Sequence, residues 1–194
     1  ISHCGYQMCF EDGRVHYFHN TGLLAQQDKI TALKELLSGL RIEPGLCNKL
    51  FHKTLFQSLL HGEAMPLDIK INEDLLMNYR LFSAAKQTVF EDWCPYHYIV
   101  RSTSASRAKL NPYKIYDPIK VKEIIRQSAP AELHEAAQQA YISTCINTYH
   151  TLLTAGAGYR DDLRKVHELL TQEADDFFLL GRKHRCTRGT NKIK

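Results

Sequence analysis

The feature that most limits the fold is the alternation at the start of the chain. In "SHCGYQMCFEDGRVHYF", Cys4, Tyr6, Met8 and Phe10 stand at every second position. A period of two places such residues on one face of a strand. Asp12-Gly13 supplies a turn, and Val15, Tyr17 and Phe18 supply β-formers for a return arm. The chain must therefore contain a sheet that begins with a hairpin.

The period then changes. "QDKITALKELLSGL" carries Ile30, Leu33, Leu36 and Leu37 at helical spacing, with Asp28 as a start signal and Gly39 as a stop. A second helix is expected in "EPGLCNKLFHKTLFQSLLHG", after Pro44-Gly45. Its apolar stripe would be Leu46, Leu50, Phe51, Leu55 and Leu59, and Gly62 would end it. "PLDIKI" reads as a short extended approach through Leu67, Ile69 and Ile71. Asn72 is a good N-cap for a third helix that buries Leu75, Leu76, Tyr79, Phe82 and Ala85. "QTVFED" and "PYHYIV" are strand-like, and "RSTSASRAKLNP" is a polar connector. After Pro118 every segment reads as helix. The expected organisation is a mixed α/β part over 1–117 and a helical extension over 118–194.

A chain of 194 residues, 44% hydrophobic and 24% charged, suits one soluble domain with an appended helical part. No apolar run approaches the roughly 20 residues of a membrane span. The six cysteines form no C-x-x-C pair and fit no zinc spacing, so they are expected to be buried free thiols in a reducing compartment. The ten histidines are dispersed, without H-x-x-x-H or H-E-x-x-H, so no metal site is expected in this chain. A glycine-rich phosphate loop is also absent, and "TAGAGYR" reads as a helix break. The chain opens directly on a strand with Ile1, which suggests a part of a longer protein.

The candidate chemistry centres on Glu73 and Asp74. Behind an Asn72 cap they occupy the first two helical positions. Helix N-termini favour acids by about 0.3–1 kcal/mol, so the pair can be simple helix-start residues. The same field favours the ionised carboxylate, which is the form that accepts a proton. Asn48 and Lys49 fall near the start of the second expected helix. There Lys49 either snorkels to solvent or faces a phosphate or sugar hydroxyl. Arg101 follows a strand and precedes Ser102, Thr103, Ser104 and Ser106, a polar set suited to a diphosphate or to a solvated loop.

The order of these pieces resembles the C-terminal half of bacterial family 2 glycosyltransferases with the A-type (GT-A) fold. The segments that carry the resemblance are "CNKLFHK", "DIKINEDLLMNYRLF", "KQTVFED" and "CPYHYIVRSTSAS", with the hairpin "CGYQMCFEDGRVHYF" ahead of them, over roughly residues 1–125. The resemblance implies an α/β fold, the C-terminal part of a nucleotide-diphospho-sugar transferase domain followed by an α-helical tail. It implies Asp74 as the base of an inverting transfer, with Glu73 beside it. By position, Asn48 and Lys49 would lie near acceptor or diphosphate, and Arg101, Ser102 and Ser104 would help close the site.

The implied substrates are a nucleotide-diphosphate sugar and a glycan or lipid-linked acceptor, in bacterial surface polysaccharide synthesis. The complete enzyme would use Mg²⁺ or Mn²⁺ at a D-x-D motif. No D-x-D precedes the hairpin here, so this chain alone is expected to bind no metal and transfer no sugar. The helical tail would pack on the catalytic part, form a homo-oligomer or lie on an anionic membrane surface. The location would be cytoplasmic, peripheral at the inner membrane face. A second function class stays open. The net charge of +4 is concentrated in "GRKHRCTRGTNKIK". A non-enzymatic α/β-helical module could bind nucleic acid through that tail, with strongly salt-dependent affinity, whereas the glycosyltransferase reading has no nucleic-acid partner.

Overall fold

The computed structural model describes residues 1–18, 20–60, 66–101 and 109–173. Its sheet holds five strands: β1 (Ser2–Phe10), β2 (Val15–Phe18), β3 (Leu24–Asp28), the two-residue β4 (Lys49–Leu50) and β5 (Gln87–Val100). The order across the sheet is β2-β1-β5-β3, and β4 pairs with β1 beside β2. β1 runs parallel to β5, and the other pairs are antiparallel. The helices are α1 (Lys29–Ser38), α2 (Thr54–Leu60), α3 (Glu73–Ala84), α4 (Pro112–Ser128), α5 (His134–Ala155) and α6 (Arg160–Gln172). The molecule is a mixed α/β structure, as the change of period implies. Among the described residues no helix is long and apolar enough to cross a membrane.

The hairpin forms as expected, with Tyr6 opposite Phe18 and Met8 opposite His16. The two strand-like runs after α3 are one continuous strand. Its register to β1 shifts between Cys4 and Tyr6, which is where Gly5 lies. A Cβ at Gly5 would stand 2.8 Å from Cys94 Sγ and 3.1 Å from the Phe18 and Trp93 carbonyls, so only glycine fits the close approach there. α1 is capped as its sequence suggests. Asp28 Oδ1 accepts from Thr31 N at 2.8 Å, and Gly39 takes the left-handed conformation.

Three expectations are corrected. The second helix is short: residues 43–53 are loop and β4, and Leu50 is 76% exposed rather than part of a buried stripe. The cause is competition from β1. Cys4 N donates to Asn48 O at 3.2 Å, and Asn48 Nδ2 donates to Cys4 O at 2.6 Å. "PLDIKI" is not a strand. The Lys70 and Ile71 N–H groups both donate to Asp117 Oδ2, at 2.7 and 3.0 Å, and Leu67 is 90% exposed. A strand β3 precedes α1 and pairs with β5, where no strand was expected. Gly62, Ser102, Ser104 and the basic tail from Arg182 lie outside the described residues.

Two hydrophobic clusters hold the helices. The first joins α1 (Leu33, Leu36), α3 (Leu75, Leu76, Phe82), α4 (Val121, Ile125) and α5 (Ala137, Ala140). The second joins α4 (Ile115, Ile119), α5 (Ile142, Cys145, Leu152) and Val166 of α6. The expected division at 117/118 thus falls inside α4. That helix and α5 contribute to both clusters, so the first part of the helical segment belongs to the core that covers the front half. Pro112 opens α4 at the first helical position, where a missing N–H costs least, whereas Pro118 lies inside the helix and removes one of its N–H donors.

Candidate active site

A cavity of about 690 Å³ opens where β1, β5, the 43–48 loop and the start of α3 meet. β1 brings Tyr6 and Met8 to it, and β5 brings Tyr98 and Val100. This follows from the parallel register, in which Met8 pairs with Tyr98 and Phe10 with Val100. The loop adds Glu43 through Asn48, and the approach to α3 adds Asn72 and Asp74.

Asp74 is set by its helix. It occupies the second position of α3, and its Oδ1 accepts from Leu75 N at 2.7 Å. Asn72 holds the N-cap position but in the left-handed conformation, with φ of 64°, and its side chain makes no cap hydrogen bond. The expectation that the helix start makes Asp74 more acidic is reversed. Burial raises its pKa above the ordinary aspartate value. The Leu75 N–H bond and the charge of Lys49 pull the other way, while Glu73 adds to the rise. The result is a more basic carboxylate than an exposed one.

Glu43 is a second half-buried carboxylate on the cavity wall. Burial raises its pKa, Lys49 and a hydrogen bond with Tyr6 oppose the rise, and the charge of Asp74 adds to it. Burial and the Glu43 carboxylate in turn raise the pKa of the Tyr6 hydroxyl. Tyr6 stacks on Phe18 with centroids 4.4 Å apart and meets Tyr98 edge-on at 6.4 Å. Cys47, on the same loop, is an exposed thiol that hydrogen-bonds Tyr96.

The structure brings two of the expected site residues, Asp74 and Asn48, onto one cavity. Glu73 is half-buried beside Asp74 but does not line it. Lys49 neither snorkels to solvent nor faces a ligand. It is buried beneath the loop, where its ammonium donates to the Glu43 carbonyl at 2.7 Å, the Gly45 carbonyl at 2.6 Å and Asn48 Oδ1 at 2.8 Å. Burial pushes its pKa down to about 8. Arg101 is exposed just past β5 and is not part of the wall. Among the described cysteines, Cys94 and Cys145 are buried as expected, whereas Cys47 is not, because its loop lies over the cavity rather than in a helix.

Glu43, Tyr6, Tyr98 and Cys47 also line the cavity, though no motif in the sequence singles them out. The Y-x-Y pattern of Tyr96 and Tyr98 and the alternation of Tyr6 and Met8 do place them on defined strand faces. Nothing in the sequence aligns those faces with each other, and that alignment is what makes the wall. Among the described residues no group of three or more His, Cys, Asp or Glu side chains is placed to share a metal ion. The described residues therefore offer no ligand set for the divalent ion that the resemblance implies.

No family model matches the chain, and no curated protein matches it.

Proposed function

We propose that this chain is the acceptor-side part of a family 2-like, A-type glycosyltransferase, and that the cavity holds the acceptor sugar of an inverting transfer from a nucleotide-diphosphate sugar. The observation that carries this reading is Asp74. It is a half-buried carboxylate at a helix start, facing a cavity of about 690 Å³, with its basicity raised by burial.

In this reading an acceptor hydroxyl donates to the Asp74 carboxylate. As the hydroxyl oxygen forms its bond to the anomeric carbon, its proton passes to Asp74. The bond from that carbon to the diphosphate oxygen breaks, and the electron pair leaves with the nucleoside diphosphate. A base with a raised pKa takes the proton with less penalty than an exposed aspartate would. The rings of Tyr6 and Tyr98 offer apolar faces to the C–H side of a sugar ring. Glu43 accepts hydrogen bonds from further hydroxyls. Two carboxylates on one wall disfavour an anionic polymer in this cavity, which weighs against nucleic acid there.

The test is Asp74→Asn in the protein expressed from its whole reading frame, assayed for nucleoside diphosphate release with nucleotide sugars and glycan acceptors. Turnover should fall by about 10²- to 10⁴-fold with folding retained. Unchanged turnover would remove Asp74 from the role of base.

A further inference from the structure

A second cavity, of about 420 Å³, lies behind the start of α3. It is bounded by the end of α1, by Pro44, Asn72 and Leu75, by Lys122 of α4 and by one face of α5. Pro44 and Asn72 belong to both cavities. The α5 face is built for close approach with polar groups. Ala136 and Ala140 are small, and Ser143, Thr144 and Asn147 follow them within the next two turns.

Lys122 is the unusual member. It is 8% exposed. Its ammonium has no hydrogen bond or ion pair with any described residue, and burial alone accounts for a pKa pushed down to about 8. The comparison with Lys49 is direct. That lysine is equally buried, and the fold gives it three acceptors. Lys120, two residues before Lys122, is paired with Asp68. The Lys122 Nζ is not sealed from solvent, so the charge is partly hydrated, and an anion at the cavity would offset the rest of its desolvation. Among the described residues no acidic side chain lines this cavity, so the protein itself supplies no counter-charge.

We propose that this cavity is a binding site for a phosphate-class oxyanion, with Lys122 as its charge partner and Asn72, Ser143 and Asn147 as hydrogen-bonding groups around it. A tetrahedral oxyanion needs one cation and several neutral donors; Lys122 supplies the charge and Asn72, Ser143 and Asn147 the donors, while the Thr144 hydroxyl already donates to the Ala140 carbonyl at 2.8 Å. The volume suits a phosphorylated small molecule. The first-turn acids Glu73 and Asp74 are not part of this wall. The proposal does not depend on glycosyl transfer, since it rests on a different cavity and a different charged group.

The competing role for Lys122 is to neutralise the carbonyl end of α1, which also borders the cavity. The two differ in sign. Calorimetric titration and thermal unfolding with inorganic phosphate and pyrophosphate, at ionic strength fixed with sodium chloride, would be run on the protein and on Lys122→Met. An oxyanion site predicts saturable pyrophosphate binding and an anion-dependent rise in Tm for the unmodified protein. It predicts binding at least about tenfold weaker in Lys122→Met. It also predicts that this variant melts higher than the unmodified protein when no anion is present. Asn147→Leu, on the open side of α5, leaves Lys122 in place and should weaken binding about three- to tenfold.

Co-sedimentation with phosphatidylcholine vesicles, with and without phosphatidic acid, separates the sources. Vesicle binding that is lost in Lys122→Met and displaced by pyrophosphate assigns the phosphate to a lipid, and pyrophosphate binding without it assigns a soluble ligand. Absence of saturable pyrophosphate binding, equal binding by Lys122→Met, or a lower Tm for that variant without anion would each overturn the proposal.

Discussion

The ammonium of Lys49 donates to the Gly45 carbonyl at 2.6 Å, and this bond fixes the loop that walls the candidate active site. The same ammonium holds the Glu43 carbonyl and Asn48 Oδ1, so one buried charge gathers residues 43–48. From the other side, Asn78 of α3 donates to the Pro44 and Gly45 carbonyls. A Cβ at residue 45 would stand 3.9 Å from Asp74 Oδ2, so the loop also sets the space in front of the carboxylate. Lys49→Met keeps the volume and removes the donors. It should cost about 1–3 kcal/mol for each buried carbonyl left without a partner. Lys49→Arg should not restore the loss, because a planar fork cannot reach three acceptors arranged around a point charge. Chemical denaturation measures both, and an unchanged midpoint for Lys49→Met would mean that the ammonium does not hold the loop.

His3 gives the fold a built-in acid sensitivity. It is buried in β1, stacked on Phe90 at 4.9 Å and edge-on to Phe82 at 5.8 Å. Its Nε2 lies 3.0 Å from Gln27 Oε1, which also accepts from Thr88 Oγ1. That oxygen can only accept, so Nε2 carries the proton in the neutral ring, and the bare Nδ1 is buried without a partner. Burial lowers the pKa from 6.5 to about 4. Between those values the unfolded chain binds a proton that the folded chain refuses. Stability from this residue is therefore complete above pH 6.5 and is lost as the pH falls toward 4, by roughly 3 kcal/mol. His3→Gln should flatten that part of the stability curve. If the variant and the unmodified protein lose stability with the same slope from pH 6.5 to 4, His3 is not the titrating group.

The hairpin, α1 and α3 were legible because each is specified locally. Asp28 and Gly39 carry their own capping chemistry, and Leu75, Leu76, Tyr79 and Phe82 repeat at one period. The 43–53 segment was not legible. Its leucines do repeat at helical spacing, but the deciding bonds run from Asn48 to Cys4, 44 residues away. "PLDIKI" failed for a similar reason, since Asp117 takes its N–H groups from 46 and 47 residues along the chain. The candidate site divides in the same way. Asp74 is readable as a helix-start acid. Glu43 becomes a neighbour of that carboxylate only when Lys49 folds its loop over β1 and α3.

Cys47 offers a direct test of the cavity. Its thiol is exposed on the loop, while Cys94 and Cys145 are buried and burial pushes the Cys145 thiol up to about 11. Cys47 is accessible, whereas Cys145 is buried and its thiol is held protonated by that burial, so iodoacetamide at pH 8 should modify Cys47 at least about tenfold faster than Cys145. Peptide mapping over a time course reads the order. The adduct would stand on the cavity wall beside Asn48, across from Tyr98. Alkylated protein should then lose acceptor binding, whereas Cys47→Ser treated in the same way should keep it. If alkylation at Cys47 leaves glycan binding unchanged, the acceptor does not occupy this cavity.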